Sequence, residues 1–163
     1  MKEIKLSQTG KNKGKYVALV DDEDYEYLNQ WKWHVNIESK TIYVRRTIYE
    51  NKIYSSIAMH SQIMQPPSEM EIDHIDHNGL NNQKSNLRLC TRSQNAKNRT
   101  PRGASKYLGV YYEKRKRKYQ AQININGVVV YLGRYVNEID AAMAYDNAAK
   151  QYHLEFANLN FQK

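Results

Sequence analysis

Hydrophobic and polar positions divide the chain into three stretches with different periodicities. To about Met64 the pattern is mostly β. Lys15 to Val20 reads as a strand, and the Tyr- and Ile-rich runs Thr41 to Tyr49 and Lys52 to His60 flank Glu50-Asn51-Lys52, a hairpin pattern. Asp21 to Asp24 precede a short helix, where negative charge suits the N-terminal dipole, and Trp31 and Trp33 read as core residues. Gln65-Pro66-Pro67-Ser68 punctuates the chain. From about Ser105, Tyr107 to Tyr112, Lys118 to Ile125 and Val128 to Tyr135 read as three strands, with Asn126-Gly127 as a tight turn between the last two. Glu138 to Tyr152 reads as a helix whose apolar side is Ile139, Ala142, Met143, Tyr145 and Ala149. Its many alanines let it lie close to a sheet, so a three-stranded antiparallel sheet with one covered face is expected.

Composition narrows the class. The 163 residues are 40% hydrophobic and 26% charged, a globular balance, with mean hydropathy −0.86. No run approaches the roughly 18 apolar residues a membrane span needs, and Met1 to Gly10 lacks the apolar stretch of a secretory signal. An intracellular, cytoplasmic protein with no membrane partner is expected. The lone cysteine, Cys90, excludes an intramolecular disulfide and a cysteine-rich zinc site, and it reads as a small buried residue. The formal charge is +8, which suggests nucleic acid. Residues 1–60 hold 10 basic and 8 acidic side chains, residues 61–100 hold 5 and 4, and residues 101–163 hold 10 and 5. Half of the last group's basic residues form the run Lys114-Arg115-Lys116-Arg117-Lys118, either a solvated turn or a phosphate contact.

The middle stretch concentrates reactive side chains. Residues 71–99 carry Asp, His and Asn with little apolar content. A strand ending at His74, a polar loop, a strand Leu87 to Cys90 and a helix from about Ser93, capped by Thr91 or Ser93, would form a ββα unit. Such a unit can bring Asp73 and His74 opposite Asn95. Asp and Asn offer hard oxygen ligands, suited to magnesium or manganese rather than zinc. A neutral His74 can take a proton from water, so the set suits phosphodiester hydrolysis. On composition alone, an Asn- and His-rich surface loop remains the competing reading.

Asp73-His74-Ile75-Asp76, Asn81-Asn82, Asn86-Leu87-Arg88 and Thr91-Arg92-Ser93-Gln94-Asn95 resemble HNH homing endonucleases, especially the phage-type branch, over about 30 residues. The resemblance implies His74 as general base, Asp73 and Asn95 as ligands of a divalent metal (magnesium first, manganese second), and Asn86 as the catalytic-loop residue that orients the histidine. Asn95 stands where the family name places a final His. It retains an oxygen ligand. His77, in the loop, is expected to be exposed. His60 resembles the histidine that precedes the nuclease core in related proteins, as a buttress or backbone contact. Arg88, Arg92, Lys97 and Arg99 are phosphate-contact candidates or solvated charges.

Ser105-Lys106-Tyr107-Leu108-Gly109-Val110-Tyr111-Tyr112, Tyr131-Leu132-Gly133-Arg134-Tyr135, Ala141 to Ala149 and Ala157 to Phe161 resemble the plant Apetala or ethylene-response-factor DNA-binding domain, over nearly 60 residues. In that family the strands enter the major groove and the helix packs behind them. Alternation along the middle strand places Tyr119, Ala121 and Ile123 on the helix and Gln120, Gln122 and Asn124 outward. Tyr111, Gln122, Asn124 and Tyr131 fall at contact positions, and Lys114, Arg115, Lys116 and Arg117 at the turn beside them. Leu108 and Tyr131 replace the usual Arg and Trp, so the plant sequence preference is not expected.

Together these readings give an α+β chain: an N-terminal β-rich segment (1–65), a ββα-metal nuclease unit (66–103) and a three-stranded sheet packed on one helix (104–163). The expected function is a homing-type endonuclease acting on double-stranded DNA as a monomer or weak dimer, in a phage or bacterial host. The alternative is a DNA-binding regulatory protein with an inactive nuclease unit.

Overall fold

A computed structural model describes residues 1–7, 9–38, 41–98, 100–101 and 104–161. The chain forms two compact units, Met1–Thr91 and Arg92–Lys163.

In the first unit, β1 (Lys2–Lys5) pairs antiparallel with β2 (Val17–Val20). The acidic cluster that follows begins α1 (Asp22–Asn29), with Asp22, Glu23 and Asp24 in its first turn. Then β3 (His34–Glu38), β4 (Thr41–Glu50) and β5 (Ile53–Ala58) make a three-stranded antiparallel sheet in that order. Asn51 and Lys52 close the β4–β5 hairpin with φ of 51° and 63°. Two left-handed residues match the right-handed twist of the flanking strands. Helix α2 (Met59–Met64) follows directly, so the expected strand to His60 stops two residues earlier. The pair β6 (Glu71–His74) and β7 (Leu87–Cys90) then forms with Asp73 opposite Arg88 and His74 opposite Leu87.

The core of this unit is Ile4, Leu6, Ala18, Val20, Leu28, Trp33, Val44 and Met59. Each large apolar side chain so buried stabilises the fold by about 1.5–3 kcal/mol. Trp33 is buried as expected, and its indole N–H donates to the Leu28 carbonyl at 2.8 Å. Trp31 packs at the margin, its ring edge-on to Trp33, with the Arg46 guanidinium 4.4 Å from its centroid.

The second unit begins with α3 (Arg92–Asn95), shorter than expected and continued by single turns to Asn98. Strands β8 (Val110–Glu113), β9 (Lys118–Ile125) and β10 (Val128–Tyr135) form a three-stranded antiparallel sheet with β9 in the centre. Helix α4 (Glu138–His153) covers one face. Asn137 caps it by accepting from the Ile139 N–H at 2.9 Å. Ala121 and Ile123 are buried and Tyr119 packs beside them, as the alternation predicted. Strand β8 starts at Val110, not at Tyr107. Gly109 has φ +70°, and a methyl there would strike the Tyr145 ring and come within 2.6 Å of the Gln122 carbonyl oxygen. The buried Asp146 accepts from the N–H groups of Asn160 and Phe161, both at 2.9 Å, while Asn160 Oδ1 accepts from Leu108 N–H. That network ties the tail to the start of β8.

Candidate active site and nucleic-acid interface

The candidate site sits at the end of the β6–β7 pair and in the loop that joins the strands. Alternation would turn Asp73 and His74 to opposite faces, yet both are buried, each 6% exposed. Asp73 is held by its cross-strand neighbour. Arg88 Nε and Nη2 donate to Asp73 Oδ2 at 2.9 and 2.6 Å, and the pair is largely shielded from solvent. Arg88 therefore fixes the carboxylate. His74 lies against Tyr43 of β4, ring centroids 6.0 Å apart, and against His60 of α2 at 5.0 Å and 88°. Tyr43 also meets His60 at 5.9 Å.

Amide side chains shape the loop. Asp76 Oδ1 accepts from Asn78 N–H at 2.8 Å and from Asn86 Nδ2 at 2.9 Å, and Oδ2 accepts from Asn81 Nδ2 at 2.9 Å. Asn86 returns a bond, its Oδ1 accepting from Asp76 N–H at 3.1 Å, and its Nδ2 also donates to the Asn81 carbonyl. Ile75 N–H donates to the Asn86 carbonyl at 3.0 Å. The buried Asn86 is thus the knot that closes the loop just beyond His74. Two further ties anchor the loop to the first unit's core. Leu19 exchanges backbone hydrogen bonds with Leu80 and Asn82, each 2.8 Å, and Asp21 accepts from Gln83 Nε2 and Lys84 N–H. Asp21 occupies the cap position of α1 but makes no side-chain cap there, because its carboxylate serves the loop. Gly79 presses on β4, where a methyl would come within 2.8 Å of the Tyr43 ring and closer still to the Ile42 carbonyl oxygen.

Electrostatics follow from this packing. Burial lowers the His74 pKa from its ordinary 6.5, opposed in part by its hydrogen bond with Asn82 and by the Asp76 and Asp73 charges. Its uncharged form, the one able to accept a proton, is favoured. His60 falls to about 4 through burial, with smaller contributions from His74 and Arg45. Burial raises Asp76, but hydrogen bonds from Asn81, Asn78 and Asn86 outweigh it and hold the carboxyl below its usual value. Cys90 is buried, its thiol donates toward the Glu71 carbonyl at 3.5 Å, and desolvation pushes its pKa up to about 11, as fits a structural role.

The donors near His74 are carboxylate and amide oxygens without a thiolate, which fits a hard divalent cation. Among the described residues, no three His, Cys, Asp or Glu side chains converge to hold an ion. Asp73, His74 and Asn86 are brought together within the first unit. Asn95, the last residue of α3, belongs to the second unit, as do Arg92 and Lys97. Arg99 lies outside the described residues. His77 is exposed with φ 62°, its N–H donating to the His74 carbonyl in a turn. Tyr43 lies outside the motif, and Asn82 lies within it without a role that marked it as a neighbour of His74.

The second unit presents its own face. Opposite α4, Tyr111 pairs with Gln120, Gln120 with Arg134, and Gln122 with Tyr131. Tyr111 and Tyr131 are 46% and 51% exposed, large apolar areas on this face. Asn124 Oδ1 accepts from Gly127 N–H at 2.9 Å, so its amide also braces the hairpin turn. Lys114, Arg115, Lys116 and Arg117 are all exposed in the turn between β8 and β9. One basic residue of this face escaped strand alternation. A bulge between Tyr131 and Gly133 inserts Leu132 into the core and leaves Arg134 on the same side as Tyr131, its guanidinium 5.6 Å from the ring. Gly133, at φ +133°, permits the bulge. Arg134 Nε also bonds Glu113 Oε2 at 2.7 Å.

Two comparisons bear on this geometry. The family model described as HNH endonuclease matches residues 65–97, from the turn before β6 through α3. The chain is also 30% identical over 158 residues to the Uncharacterized HNH endonuclease L560 of Acanthamoeba polyphaga mimivirus, covering 93% of this chain and 78% of that relative. The similarity therefore extends well beyond the matched segment on both sides.

Proposed function

Because this chain belongs to the HNH endonuclease family, we propose that it hydrolyses DNA phosphodiester bonds with His74 as general base. The observation that carries this reading is the buried pair Asp73–His74, one residue fixed by Arg88 and the other kept neutral by burial. His74 accepts a proton from the water that attacks phosphorus. As that oxygen bonds to phosphorus, the bond to the leaving sugar oxygen breaks. Asn86 keeps the loop closed, so the base is presented in one place. Asp73 and Asn95 would hold a divalent ion, magnesium or manganese, which when bound supplies positive charge for the leaving oxygen. Both residues lie within the segment that the family model matches.

Within the second unit, the domain spanning residues 104–163 is proposed to grip the duplex. Its open face offers Tyr111, Gln122, Asn124 and Tyr131 to base edges, and the turn Lys114 to Arg117 offers charge to phosphates. Targeting a particular site, as homing enzymes do, belongs to this face. One such set is proposed per chain, so a monomer would nick one strand, and cutting both strands would need a weak dimer or sequential nicks.

The test uses the full chain, a labelled duplex and magnesium. The unaltered protein should nick or cut, and His74→Ala should slow cutting about 10²- to 10⁴-fold with duplex affinity unchanged in calcium. Absence of cutting by the unaltered protein would favour a DNA-binding protein with an inactive nuclease unit. Equal cutting by His74→Ala would remove the proton-transfer assignment.

A further inference from the structure

The candidate site contains a second histidine that the nuclease motif does not use. We infer that His60 is a positioning residue: its ring is the wall that sets the rotation of the His74 imidazole. The role rests on the reading of His74 as general base.

A histidine's χ2 torsion joins a tetrahedral carbon to a planar ring, and its wells are broad. Strand β6 therefore places the His74 ring but does not set its plane. Neighbours must do so: a hydrogen bond with Asn82 holds one ring atom, and the packed rings limit the turn about it. His60 stands edge-to-face at 5.0 Å and 88°, while Tyr43 lies tilted at 6.0 Å and 51°. Tyr43 is itself pinned, because Gly79 leaves room for only the loop backbone against it. His60 sits at the start of α2, whose next-door Met59 is fully buried in the core, so the wall stands on a rigid base. His60 Nδ1 is buried with no hydrogen-bond partner among the described residues, so the role is assigned to the shape of the ring rather than to a bond from that nitrogen. The groups facing it are His74 from β6, with Tyr43 and Arg45 from β4. Burial beside them lowers its pKa to about 4, so the wall is uncharged at neutral pH and does not repel a proton arriving on His74.

The experiment compares His60→Ala with His60→Phe in the full chain, in two independent measurements. Nuclear Overhauser contacts between the His74 and Tyr43 rings, assigned by difference against His74→Gln, report ring orientation whether or not DNA is cut. They should weaken in His60→Ala and persist in His60→Phe. In magnesium, kcat should fall about 10- to 100-fold in His60→Ala, the scale of a reacting group misplaced by an ångström. His60→Phe should recover kcat to within about threefold of the unaltered protein, on the same positioning argument. KM and duplex binding in calcium should stay unchanged in both. Undisturbed ring contacts in His60→Ala would overturn the inference, even in a protein that cuts nothing. So would a fall of kcat in His60→Phe with the ring contacts intact, since a nitrogen and not the ring would then be at work. Failure of the unaltered protein to cut, with ring contacts behaving as expected, would remove the nuclease reading and leave the positioning role standing.

Discussion

Acid should loosen the first unit through His60, by an amount that a single substitution isolates. Folded, its imidazole titrates near 4; unfolded, near the ordinary 6.5. Between those values the unfolded chain binds more protons than the folded one, so stability falls as pH drops below 6.5 and levels off below 4. Above 6.5 the group contributes no pH dependence. One pKa unit corresponds to about 1.4 kcal/mol, so the two titrations together cost about 2 kcal/mol at pH 5 and about 3 kcal/mol at pH 4. Other groups titrate in the same range, but His60→Phe removes only this one. Both tryptophans, Trp31 and Trp33, lie in the first unit, so urea unfolding followed by tryptophan fluorescence reports on that unit. The expected result is a stability difference between the unaltered protein and His60→Phe that moves by about 2 kcal/mol from pH 7.5 to pH 5 in favour of phenylalanine. Parallel curves across that interval would refute the reasoning, because they would mean that His60 is as free to protonate in the fold as in water.

Gly109→Ala should destabilise the second unit by about 3 kcal/mol or more, since the methyl meets Tyr145 and the Gln122 carbonyl in a left-handed conformation; faster amide exchange in β9 and α4 would report it. Asn86→Leu removes the amide that joins Asp76 to Asn81, and should cost about 1–3 kcal/mol while lowering kcat more than duplex affinity. Replacing Lys114, Arg115, Lys116 and Arg117 with Gln should weaken duplex binding alike across sequences. The slope of log affinity against log salt should become shallower by about 0.9 for each phosphate that the turn no longer neutralises, and an unchanged slope would assign the run to a merely solvated turn.

Local pattern carried much of the fold. Strand runs from 41 and from 118, both two-residue turns and the α4 helix are legible because each depends on residues within a few positions. Strands β1 and β3 were not. Lys2–Lys5 contains a single apolar residue, Ile4, and becomes a strand only because Val17–Val20 pairs with it. The bulge at Leu132 likewise has no mark in simple alternation, which would set Tyr131 and Arg134 on opposite faces; only the register against β9 puts them together.

The reactive set shows the same division. Asp73 and His74 could be named from the sequence because they are neighbours within a spaced motif, and the chemistry of oxygen donors beside an imidazole belongs to the residue types. The motif already marked His77 as an exposed loop residue and, by resemblance, His60 as a buttress or backbone contact, but it left His60's partner open and gave no hint of Tyr43. His77 is three residues from His74 yet exposed, whereas Tyr43 and His60, on β4 and α2, form the walls of the His74 ring. Proximity along the chain fixes direction for only a residue or two. Burial, the lowered pKa of His74 and the plane of its ring all come from groups that long-range packing delivers, and that packing exists only once the sheet, the helix and the loop have closed on one another.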